Sequence, residues 1–218
     1  MLKRISLGLA LTLLATSAAL ATSDKAFAEK TATPELIEQL QAGGYVLYLR
    51  HGKTDSSIPD EVPVVIDDCD SQRPLTREGR EQMAFIGKAL QALQLPLDPI
   101  ISSPFCRALD SSVAAFGEGS YTVEELLMYT AALTTEEKKP ILETTRELIS
   151  QPQANGSSRV LVAHGPNLAE LMNYFPPEGS LVIFKPLGQG EFQYLASILP
   201  NQWSQLLAAK GLADETQP

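Results

Sequence analysis

Histidine and cysteine are scarce here: two of each among 218 residues. Two cysteines make no convincing zinc site, and both histidines find another use below. Basic residues are few as well. Seventeen Lys and Arg stand against 26 Asp and Glu, a net charge of -9. Non-specific nucleic-acid binding needs a basic face and is disfavoured. No Gly-x-Ser-x-Gly stretch occurs, which argues against a serine hydrolase built on that turn. No internal repeat or low-complexity segment stands out. What the chain does have is 44% hydrophobic and 20% charged residues, enough to bury one sizeable core.

The first 28 residues read as a processing segment. Met1 to Arg4 is short and basic, and Ile5 to Ala21 is apolar or small throughout. Small-x-small sites follow at Ala19-Leu20-Ala21 and Ala26-Phe27-Ala28. A signal peptide over 1–28 is expected, with cleavage after Ala28 and a single domain over 29–218. The alternative is an uncleaved anchor, although the run sits at the short edge of a spanning helix. Cleavage removes Lys3, Arg4 and Lys25 against only Asp24, so the remainder is more acidic still. Export would place the domain in the periplasm or outside the cell, without stable membrane insertion. In that oxidising setting Cys69 and Cys106 form an even pair. A disulfide is expected, with two separate thiols as the alternative.

Along the chain, Thr33-Pro34-Glu35 opens a helix that Gly43-Gly44 ends. Tyr45–Leu49 is an apolar strand running into Arg50-His51-Gly52. Residues 53–74 form a long loop, a length that usually signals function. A helix is predicted from Thr76 to about Leu93, then a strand over Asp98–Ser102 and a helix from Pro104 to Phe116. Tyr121–Met128 reads as a strand. Thr134 to Glu137 is a capping box for a helix reaching Ser150. Arg159–Ala163 is a strand leading into His164-Gly165. Two late strands, Leu181–Pro186 and Phe192–Ile198, precede a helix over Pro200–Lys210. Alternating strands and helices imply an α/β fold with a mostly parallel sheet, whose ligand site lies beyond the strands' carboxyl ends.

That rule gathers the chemistry. Each histidine directly follows an apolar strand and precedes a glycine, which lets the backbone turn and approach a ligand closely. In one parallel sheet, His51 and His164 emerge at the same edge. A third strand end, Ile100–Ser103, runs into Pro104-Phe105-Cys106-Arg107, which places Arg107 in the first turn of a helix. Two arginines, two histidines and a helix N-terminus suit a phosphate group. Arg73 reads equally as a further phosphate contact or a surface residue. Lys53 reads as solvated, and Asn167 as a helix cap.

Leu49-Arg50-His51-Gly52 with Thr54, Leu75-Thr76-x-x-Gly79 with Gln82, Ser103-Pro104-x-x-Arg107-Ala108 and Val162-Ala163-His164-Gly165 resemble the histidine phosphatase superfamily. The similarity is to the branch of the phosphoglycerate mutases and bacterial phosphohistidine phosphatases, over residues 45 to 198. It implies a three-layer α/β/α sandwich and a phosphatase working without metal or cofactor. His51 would be the nucleophile; Arg50, Arg107 and His164 would clamp the phosphoryl oxygens. Gly52, Thr54 and Gly165 would line the substrate site. The partner is then a phosphorylated small molecule or phosphoprotein, as ester or phosphoramidate.

The chain departs from the mutases at the proton donor. Their Glu aligns with Met128 or Tyr129 here, and Glu124 or Glu125 would have to shift in; otherwise both are solvated. A Cys69–Cys106 bridge would tie the 53–74 loop to the rim of the site. Two other readings stay open. One is a phosphatase of lipopolysaccharide sugar phosphates; the other is a non-catalytic periplasmic phospholigand-binding protein on the same fold.

Overall fold

The computed structural model describes residues 27–153 and 156–212. The expected signal segment lies outside the described residues up to position 26. Six strands are described: β1 (Val46–Arg50), β2 (Leu97–Ser102), β3 (Thr122–Val123), β4 (Ser158–Ala163), β5 (Leu181–Gly188) and β6 (Glu191–Ile198). Six helices accompany them: α1 (Pro34–Leu40), α2 (Arg77–Ala92), α3 (Cys106–Phe116), α4 (Thr135–Ser150), α5 (Gly165–Met172) and α6 (Trp203–Ala209). The strands form one sheet in the order β3-β2-β4-β1-β5-β6. β3, β2, β4 and β1 are parallel, and β5 and β6 add an antiparallel hairpin at the β1 edge.

The central strands are apolar on both faces because both are covered, as buried parallel strands are. Leu47, Leu49, Val160 and Val162 pack beneath α1, α2, α3 and α6, against Leu40, Met83, Ile86, Ala108 and Trp203. Val46, Tyr48, Leu161 and Ala163 face the other way, toward Ile149 of α4 and Leu168 of α5. This is the expected three-layer α/β/α sandwich. Among the described residues, no helix is long and apolar enough to cross a membrane.

Local chemistry accounts for most helix starts. Thr33 accepts from the Leu36 N–H with Pro34 behind it, and Thr76 accepts from the Gly79 N–H. The Thr134–Glu137 capping box is closed from both sides. Three expectations need correction. The helix expected from Pro104 begins at Cys106, because Phe105 is extended at its N-cap. The strand expected over Tyr121–Met128 is only Thr122–Val123: the Glu124 carboxylate accepts from the Leu126 N–H and closes a 3-10 turn at Glu125–Leu127. The last helix is shorter than expected, spanning Trp203–Ala209.

The 53–74 loop is irregular apart from one 3-10 turn at Cys69–Ser71. Its own side chains hold it. The Ser71 hydroxyl donates to carbonyls of Val65 and Asp68, and the Gln72 amide donates to those of Val65 and Ile66. The loop is fastened to the start of α3 at two neighbouring points. Cys69 and Cys106 are joined in a disulfide, and the Cys106 N–H donates to Gln72 Oε1 at 2.9 Å. The expected bridge is therefore present.

Candidate active site

β1 and β4 are adjacent and parallel, with Arg50 level with Ala163. Their next residues, His51 and His164, therefore leave the sheet side by side, with ring centroids 5.4 Å apart. Both are fully buried. β2, on the far side of β4, ends at Ser102, and Ser103 Oγ lies 2.7 Å from His164 Nε2. Arg107, one residue into α3, is also fully buried, and Arg50 nearly so.

His51 Nδ1 is 2.9 Å from the Gly52 carbonyl oxygen. A carbonyl only accepts, so Nδ1 carries the proton and the Nε2 lone pair is free. Burial, and then the positive charge of Arg107 and Arg50, push the His51 pKa well below 6.5; the Gly52 bond opposes this. The ring is therefore neutral at neutral pH. His164 is shifted the same way, by burial and then by Arg107 and His51. Its position is pinned by Tyr48, whose hydroxyl donates to the His164 carbonyl at 2.7 Å and accepts from its N–H at 3.1 Å.

Several buried nitrogens here have no hydrogen-bond partner among the described residues: Arg50 Nε, Arg73 Nε, Arg107 Nε and Nη2, all donors, and His164 Nδ1. Unmet donors on buried cations are costly unless something supplies acceptors. An oxyanion with several lone pairs meets that demand. Asn167 Oδ1 also lacks a partner, while its amide donates to the Met128 carbonyl. Asn167 does not cap α5, contrary to expectation; the N-cap is His164, with no side-chain bond.

The glycines are needed for close approach. A Cβ on Gly165 would lie 3.1 Å from the Arg50 guanidinium carbon, and one on Gly52 would lie 2.6 Å from the Gly79 carbonyl. Gly52 is further held by the Ser111 hydroxyl, which accepts from its N–H and donates to the Arg107 carbonyl. Thr54 is buried, but its hydroxyl donates to Glu178 Oε1 at 2.7 Å. Lys53 is exposed. Glu124 is used in its own turn and Glu125 is exposed.

The family model of the histidine phosphatase superfamily (branch 1) matches residues 46–128. That stretch holds Arg50, His51 and Arg107. Over that stretch the chain is similar to the histidine phosphatase superfamily. No curated protein matches it in sequence. Mycobacterial hydrolase 1 is 17% identical, with a TM-score of 0.50, and the match covers 72% of this chain and 99% of that one. The alpha-ribazole phosphatase of Shigella flexneri is 14% identical, covering 70% and 95%, with a TM-score of 0.49. The protein histidine phosphatase SixA, solved with tungstate, is 17% identical, covering 72% and 98%, with a TM-score of 0.47. At these identities the likeness bears on the fold alone.

Two residues of this site, Glu178 and Asp60, escaped the sequence reading, and a third, Tyr129, figured there only as a position aligned with the mutases' Glu. Glu178 Oε1 lies 3.6 Å from Arg50 Nη2 and 4.0 Å from His51 Nδ1. It arrives there because β5 runs antiparallel beside β1, with Leu181 opposite Leu49; nothing in Pro177-Glu178-Gly179 announces that. Asp60 Oδ1 is 2.8 Å from Arg107 Nη1 and accepts from the Arg73 N–H at 2.9 Å. Tyr129 faces both Arg107 and His164, at 5.0 and 5.6 Å between centres. Arg73, left undecided by the sequence, contributes its charge to both histidines and both buried arginines.

Proposed function

We propose that the protein is an exported phosphatase that hydrolyses phosphate esters or phosphoramidates through a phosphohistidine on His51. The observation that carries this reading is the cluster of unpartnered donors of Arg50, Arg107 and His164 around a histidine whose Nε2 lone pair is free. The Nε2 lone pair attacks phosphorus in line as the bond to the leaving oxygen or nitrogen breaks, and the leaving group takes up a proton from solvent. Water then cleaves the P–N bond, releasing phosphate and restoring His51.

The remaining roles follow from the contacts. Ser103 Oγ accepts from the Phe105 N–H and is free to donate to His164 Nε2. That leaves a proton on His164 Nδ1, which joins the arginines in donating to the equatorial oxygens. When His51 becomes a phosphorylated cation, the Gly52 carbonyl holds its Nδ1–H and the Glu178 carboxylate lies within 4.0 Å. Thr54 holds Glu178, and Gly52 and Gly165 allow the close packing. The guanidiniums supply the positive charge a metal would otherwise provide, so activity is expected without one. The disulfide suits an oxidising compartment, periplasmic or secreted.

The test is p-nitrophenyl phosphate hydrolysis with EDTA present, for wild type and His51→Ala. Wild-type activity should persist, and the variant should fall by at least about a thousandfold. Wild type should also trap an acid-labile phosphoenzyme. Activity surviving in His51→Ala would remove His51 as the nucleophile. Phosphate binding without turnover would favour a binding protein.

A further inference from the structure

The wall of this site opens into a cavity of about 360 Å3, within the range that holds small molecules. Its walls include Val62, Pro63 and Val64 of the 53–74 loop, Phe105 at the start of α3, and Tyr129 and Leu133 ahead of α4. Two walls are shared with the donor cluster. Phe105 and Tyr129 both stand against the Arg107 guanidinium, at 4.6 and 5.0 Å, and both rings pack edge-on against His164. Asp60, which holds Arg107, is a third shared residue. A phosphoryl group on the donors therefore has this cavity beside it.

The cavity's chemistry is apolar. None of its lining residues is Lys, Arg or His. Of its three carboxylates, Asp60 is taken by Arg107 and the Arg73 N–H, and Glu137 by the Thr134 cap; Glu61 is exposed. Nothing there would hold a second phosphate, and acidic groups at the edge would repel one. One of its apolar lining residues, Val62, is 83% exposed.

We infer that the site takes phosphate monoesters of apolar alcohols, alkyl or aryl, with the hydrocarbon lodged in this cavity. The inference rests on the phosphatase reading above and names its substrate class. The phosphoryl transfer is unchanged: the P–O bond breaks, the C–O bond stays, and the alcohol leaves through the cavity.

Ethyl, butyl and hexyl phosphate separate this from general phosphatase activity, since their leaving groups are equally basic and differ only in apolar length. Phosphate release by the purified protein should give a kcat/KM that rises about two- to fourfold per methylene, fourfold being ~0.8 kcal/mol per buried CH2. Glucose 6-phosphate should fall at or below ethyl phosphate. Leu133→Asp should bring hexyl phosphate down toward the ethyl value. Should that variant misfold, the wild-type series decides alone. Equal values along the series, or faster glucose 6-phosphate, with p-nitrophenyl phosphate still hydrolysed, overturns the inference and leaves the phosphatase reading standing. No release from any ester overturns both.

Discussion

Replacing both bridged cysteines, as Cys69→Ser with Cys106→Ser, removes the one covalent tie between the 53–74 loop and α3. The bridge closes a loop of 37 residues. Chain entropy assigns a loop of that length about 13 cal/mol/K, or ~4 kcal/mol at 25 °C. For a domain of this size each kcal/mol moves the Tm by ~2–4 °C, so a fall of roughly 8–15 °C is expected. Calorimetry of wild type, wild type with reductant and the double variant measures it. The loop keeps other anchors to α3, the Cys106 N–H bond to Gln72 and the Asp60–Arg107 pair, so the fold itself should survive. The same loop positions Asp60 and Arg73 at the site, so the variant's KM should rise more than its kcat falls. A Tm within about 2 °C of wild type in both reduced samples would refute the reasoning, because the loop would then be held by its other contacts alone.

Asp60 occupies one face of Arg107 that a phosphoryl group would also approach. Like charges ~5 Å apart repel by about 3 kcal/mol at an effective dielectric of 20, and partial exposure reduces this. Asp60→Asn should tighten inhibition by inorganic phosphate about five- to tenfold; unchanged or weaker inhibition would show that Asp60 does not compete. His51 and His164 are held neutral in the fold, while in the unfolded chain each binds a proton below its ordinary pKa of 6.5. Their contribution is intact above pH 6.5 and lost as pH falls, at up to about 1.4 kcal/mol per pH unit each. His51→Asn should lessen the acid slope of urea-unfolding stability by about that amount, and an unaltered slope would count against a neutral buried His51. At the N-terminus, Phe27 stacks on Tyr174 at 4.2 Å and meets Tyr194 edge-on at 4.8 Å. A chain beginning at Thr22 should be about 1 kcal/mol more stable than one beginning at Glu29. Equal urea midpoints would make those ring contacts energetically idle.

Much of the architecture was legible because its signals are local. Apolar runs such as Val46–Leu49 and Val160–Ala163 identify buried parallel strands, and Thr33, Thr76 and Thr134 mark helix starts through caps that need only a few neighbouring atoms. The failures came at element ends. Glu124 ended a strand by capping a turn, and Phe105 stayed extended where Pro104 had suggested a helix. Neither conflict shows in periodicity.

The site divides in the same way. Two strand-end histidines and two arginines in a pattern that suits phosphate are visible in the amino-acid order alone. The apolar strand before each histidine and the glycine after it are local signals; the parallel pairing of β1 with β4 is what carries His51 and His164 to one edge. Which carboxylates join them depends on long-range packing. Glu178 is beside His51 because β5 pairs antiparallel with β1, and Asp60 reaches Arg107 because a disulfide and Gln72 fasten its loop to α3. Those are contacts between segments distant along the chain, set by sheet order and by a crosslink. No short stretch of sequence encodes either, and so neither the carboxylates nor the apolar cavity beside them could be read before the chain was folded.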